Sequence, residues 1–68
     1  MGTDQVRIYS IGDSYRAEQI RQMLSDHDIM AFLLNKQDSA YKFGDIELYV
    51  HRDHAIRAKI LIREFEER

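Results

Sequence analysis

The sequence predicts an α+β domain of order β-α-β-β-α, a three-stranded antiparallel sheet with two helices packed on one face. Three observations lead there. Two stretches, Ala17–Leu24 and Ala55–Phe65, repeat apolar residues at helical spacing. Three others, Val6–Ile11, Ile29–Leu34 and Asp45–Val50, are β-branched, continuously apolar or alternating. With 68 residues in all, the chain has room for one domain, so the five elements must share one core.

Residues 1–5 are polar and are expected to form a flexible lead-in. Val6-Arg7-Ile8-Tyr9-Ser10-Ile11 reads as the first strand. Alternation places Val6, Ile8 and Ser10 on one face and Arg7, Tyr9 and Ile11 on the other. Gly12-Asp13-Ser14 breaks the strand, and Asp13 suits a helix N-cap because its carboxylate accepts from unpaired first-turn amides. The first helix is predicted over Ser14–Asp26, with Ala17, Ile20, Met23 and Leu24 inward. His27-Asp28 makes the turn. Ile29–Leu34 is apolar on both faces, as in a strand that is covered twice or meets a partner. Asn35–Gly44 is the longest connector.

Asp45–Val50 alternates, with Ile46, Leu48 and Val50 on one face and Glu47 and Tyr49 on the other. Asp53 is expected to cap the second helix, whose stripe is Ala55, Ala58, Leu61, Ile62 and Phe65. The second and third strands form a hairpin, and the crossover rule places the first strand beside the third. The result is a two-layer ferredoxin-like split β-α-β without its final strand, in the order first, third, second. The outer edge of the first strand is then open to pairing with another chain.

Composition narrows the function. A domain this small has a thin core, and the chain contains no cysteine for a disulfide or a thiolate metal site. Ten basic against twelve acidic residues give a formal charge of −2, which offers no attraction to a phosphate backbone, so no nucleic-acid partner is expected. The longest apolar run is far short of a membrane span. No basic segment followed by an apolar one opens the chain, so a secretory leader is not expected. The expectation is a cytoplasmic protein without a cofactor.

The chemical motifs are sparse. His51-Arg52-Asp53-His54 is the one cluster that resembles a metal or acid–base site, yet a zinc site needs three or four ligands, and the remaining histidine, His27, is distant in sequence. These residues read more simply as a polar strand end and helix start. No serine sits in a nucleophile elbow, and Gly12 and Gly44 are isolated turn glycines. No catalytic or metal residue is assigned, and the chain is not expected to be an enzyme.

The surfaces are more informative. If Leu48 and Val50 face the helices, the opposite sheet face carries Arg7, Tyr9, Ile11, Met30, Phe32, Leu34, Glu47 and Tyr49. That face is too apolar to stand in water, and exposed apolar patches mark interaction sites. Tyr9, Met30, Phe32, Leu34 and Tyr49 are therefore the candidate partner-binding residues. The register of the second strand is the weak step, because a one-residue slip would send Phe32 into the core. Ile56 and Ile60 make a smaller apolar pair on the far side of the second helix.

From Val6 to Phe65 the chain resembles a small bacterial family of unknown function, described as prokaryotic signal-transducing proteins and compared with the PII (GlnB-like) fold. The resemblance rests on Val6–Tyr9, on Asp13–Glu18 at the helix start, and on Leu24 followed by Ile29-Met30-Ala31-Phe32-Leu33. Asn35, Gly44, Leu48-Tyr49-Val50 and Ala58-x-Ile60-Leu61 complete it. Asp28 stands where the family often has glycine. The resemblance implies a regulatory role; nucleotide-binding residues do not follow from it. The leading expectation is a non-catalytic regulatory module that self-associates through its sheet, most simply as a dimer, or that binds another protein. The alternative is a metabolite or nucleotide sensor whose ligand sits at a subunit interface near the 35–44 loop, against Lys36, Tyr41 and Lys42.

Overall fold

Strands β1 (Gln5–Ile11) and β2 (Ala31–Asn35) flank β3 (Ile46–His51), which pairs antiparallel with both. The computed structural model describes residues 4–37 and 45–67. Helices α1 (Ser14–Asp26) and α2 (Ala55–Glu66) complete the predicted β-α-β-β-α order, and the sheet order β1-β3-β2 is the one the crossover rule requires. Gln5 already pairs with His51, so β1 begins inside the stretch expected to be a flexible lead-in.

The core lies between the sheet and both helices. Ile20 and Leu24 of α1, Leu48 and Val50 of β3, and Ala58 and Ile62 of α2 form one buried cluster with Ile29 and Ala31. Alternation explains β3: Ile46, Leu48 and Val50 are all buried on the helix side. The stripe of α2 falls as its spacing predicts, with Leu61 and Phe65 packed on the cluster and Ile56 and Ile60 exposed.

The ends of α1 show how the sequence places its elements. The Asp13 carboxylate accepts from the backbone N–H of Tyr15 at 3.0 Å and of Arg16 at 3.3 Å, the expected cap. At the other end the Ile29 N–H returns to the Leu24 carbonyl at 2.9 Å, and that of Asp28 to Ser25 at 3.0 Å. This pair of bonds is a Schellman stop, which needs a left-handed residue. Asp28 supplies it at φ 64°. A left-handed backbone is where glycine is least strained and Asp is tolerated. Ile29, expected to open the second strand, instead anchors this stop in the core beside Leu24.

Two further expectations are corrected. Between Arg7↔Tyr49 and Tyr9↔Leu48 the β1–β3 register shifts by one residue, leaving Ile8 as the extra residue of a bulge. The alternation of β1 inverts beyond it. Tyr9 and Ile11, expected on the helix-free face, lie opposite Leu48 and Ile46 on the helix side. Both Ile8 and Tyr9 pack against the core, and the Tyr9 hydroxyl donates to the Glu66 carboxylate near the end of α2. The second correction concerns Asp53. A 3-10 turn, Arg52–His54, precedes α2, and no side chain caps that helix. Instead the Asp53 N–H donates to His51 Nδ1 at 3.1 Å, so the histidine caps the turn.

Candidate functional site

The helix-free face of the sheet is built from two cross-strand rows. In the first, Tyr49 of β3 stands between Arg7 of β1 and Phe32 of β2. In the second, Glu47 stands between Ser10 and Leu34. β2 therefore takes the register that turns Ala31 into the core and Phe32 away from the helices. Phe32 keeps 49% of its surface exposed and Leu34 47%. Met30, just ahead of β2, is more exposed still and borders a shallow cleft with Arg21, Ser25 and Asp28.

Glu47 is the surprise of this face. It is 6% exposed, the one buried charged residue among those described. Its carboxylate accepts from the Tyr49 hydroxyl at 2.8 Å and from Arg7 Nη1 at 2.9 Å, and Lys36 Nζ lies at 3.4 Å. Each strand contributes: Arg7 from β1, Glu47 and Tyr49 from β3, and Lys36 from just beyond β2. Burial of a carboxylate is tolerable only with such partners. The Tyr49 hydrogen bond leads in holding the Glu47 carboxyl below the usual carboxylate range; burial opposes this, and Arg7 and Lys36 reinforce it. The reciprocal bond pushes the Tyr49 hydroxyl up. Arg7 and Lys36 are more than half exposed, so water screens their side of the pairs.

The arrangement spreads a charged cross-brace from β1 through β3 to the residue after β2, beside the apolar Phe32 and Leu34. Sequence reasoning placed Glu47 on this face but not as a buried centre. The available signal was a Glu and a Tyr two apart on one strand, with opposite charge on the neighbouring strands.

Of the candidate partner-binding residues, Phe32, Leu34 and Tyr49 come together here, Met30 lies at the edge, and Tyr9 belongs to the helix side. Of the candidate ligand loop, Lys36 is engaged by Glu47, whereas Tyr41 and Lys42 lie outside the described residues. The rings of His51 and His54 are 6.3 Å apart. Among the described residues no group of three or more His, Cys, Asp or Glu could hold a metal ion, and no helix is long and apolar enough to cross a membrane.

A family model described as "Putative prokaryotic signal transducing protein" covers residues 5–66. No curated protein and no solved structure matches the chain.

Proposed function

The chain belongs to this prokaryotic family, and on that premise we propose that it is a non-catalytic, cytoplasmic regulatory module that acts by self-association through its sheet, most simply as a dimer. The observation that supports the reading is the pair Phe32 and Leu34. Both lie on the sheet face that no helix among the described residues covers, and both keep about half their surface exposed. Isolated apolar residues on a surface are ordinary, but two side by side, flanked by Tyr49 and Met30, form a patch. The Arg7–Glu47–Lys36 brace stiffens the sheet beneath it and adds a polar border, the usual anatomy of an interface.

Sedimentation of the purified protein from low to high micromolar concentration tests this. A rise in weight-average mass towards a dimer is the expected result, and a strict monomer throughout counts against it. The sensor alternative makes a different prediction. A metabolite or nucleotide bound by the folded state alone would raise Tm with ligand concentration.

A further inference from the structure

Self-association through the sheet leaves open which surface meets which, and on that reading we propose that the partner is a second copy joined along the outer edge of β2. The two β2 strands run antiparallel about a two-fold axis at Leu33, giving a continuous six-stranded sheet.

Among the described residues the sheet has two edge strands, β1 and β2. Edges that avoid pairing carry charge, proline or a bulge. β1 carries two of these, Arg7 and the bulge at Ile8. β2 is Ala-Phe-Leu-Leu-Asn, with no charge and no proline, and its ladder to β3 runs without a shift. It is the unprotected edge of the two.

The hydrogen-bond phase of β2 follows from its last bond. The Lys36 N–H donates to the Asp45 carbonyl at 3.0 Å. In an antiparallel ladder the bonded residues alternate, so Leu34 and Phe32 also turn their backbone groups to β3. Ala31, Leu33 and Asn35 then turn theirs outward, where no strand among the described residues pairs with them. A two-fold axis at Leu33 uses all three. Leu33 bonds to the partner's Leu33, and Ala31 bonds to the partner's Asn35 in both directions, for about six backbone hydrogen bonds.

The side chains match in the same register. Phe32 falls directly opposite the partner's Leu34 on the helix-free face, in the close, non-bonded type of pair with Cα atoms about 4.5 Å apart. Each half-exposed residue gains an apolar cross-strand neighbour that covers its flank. On the helix side Leu33, already packed against the core, meets its own copy. No charged residue of Ala31–Asn35 opposes another, so the self-pairing carries no like-charge penalty. A five-residue ladder is small beside the roughly 1,200–2,000 Å² of a stable interface, so the expected association is a weak one that shows at high protein concentration.

The chain lacks cysteine, which makes disulfide trapping clean. Phe32→Cys and Leu34→Cys proteins are oxidised separately and as an equal mixture, with Ser10→Cys as the β1 probe. The expected result is a cross-linked heterodimer in the mixture, several-fold more abundant than any dimer from either protein alone, and none from Ser10→Cys. Equal cross-linking of Phe32→Cys or Leu34→Cys alone would overturn the register. Cross-linking through Ser10→Cys, or a wild-type dimer that none of the three traps, would overturn the β2 edge while self-association stands. A wild-type monomer at all concentrations would remove both.

Discussion

Replacing Phe32 by Ala separates a surface residue from a core residue. A fully buried Phe truncated to Ala costs about 3–5 kcal/mol of folding stability, from lost transfer energy and the cavity left behind. Phe32 is 49% exposed, so the protomer forfeits roughly half of that, about 1.5–2.5 kcal/mol. At an interface, a central aromatic anchor commonly costs about 2 kcal/mol or more on truncation, which is roughly a 30-fold weaker association. Leu24, with no exposed surface, is the control: Leu24→Ala should cost about 2–5 kcal/mol of folding. Urea unfolding at a concentration where the protein is monomeric gives the first quantity, and sedimentation at high concentration gives the second. Phe32→Ala should remain folded and lose association, whereas Leu24→Ala should lose most of a small domain's stability. A Phe32→Ala loss of folding stability equal to that of Leu24→Ala, with association intact, would refute the placement of Phe32 at a contact.

Three further outcomes follow from the same geometry. Tyr9→Phe removes the hydroxyl that reaches Glu66 and should lower stability by about 0.5–1.5 kcal/mol in urea unfolding; because Tyr9 faces the helices, the dimer constant should not change. The Glu47 carboxyl is held below its ordinary value of 4.5. A depressed folded pKa gives stability that is present above the unfolded value and is lost as pH falls through the folded one. Carboxyl NMR should therefore show Glu47 titrating below 4.5, and acid unfolding of Glu47→Gln should lack that component. Asp28→Gly removes the left-handed strain at φ 64° but adds unfolded-state entropy. Urea unfolding should show a net gain of up to about 1 kcal/mol, and a loss greater than that would contradict the Schellman stop.

Most of the fold was legible because each element announces itself locally. Ala17, Ile20 and Leu24 mark one helix face, Ile46, Leu48 and Val50 one strand face, and Asp13 a cap; all behave as their chemistry dictates. The placement of Phe32 and Tyr49 on the helix-free face also followed, since a partner strand with a clear inner face pulls an ambiguous one into register. What failed has a common cause. Ile8 and Tyr9 are both apolar, so nothing in their order reveals which one is the extra residue of a bulge. Asp53 is a good cap by type, but the competing acceptor, His51 Nδ1, is fixed by a turn whose geometry the sequence does not display. Glu47 looks like a solvated strand residue until Arg7 of β1, Tyr49 of β3 and Lys36 just past β2 converge on it. Convergence of distant residues is a property of register, and register was the least determined quantity.

The central claim is that the helix-free face and β2 carry the contact between copies. Amide NMR spectra recorded across a dilution series test it residue by residue. Shifts should change with concentration at Phe32, Leu33, Leu34 and Tyr49, and stay constant at Tyr15 on α1 and Ile56 on α2. Concentration-dependent shifts centred on Ile56 and Ile60, with Phe32 and Tyr49 unmoved, would contradict it, as would spectra that do not change with concentration at any residue.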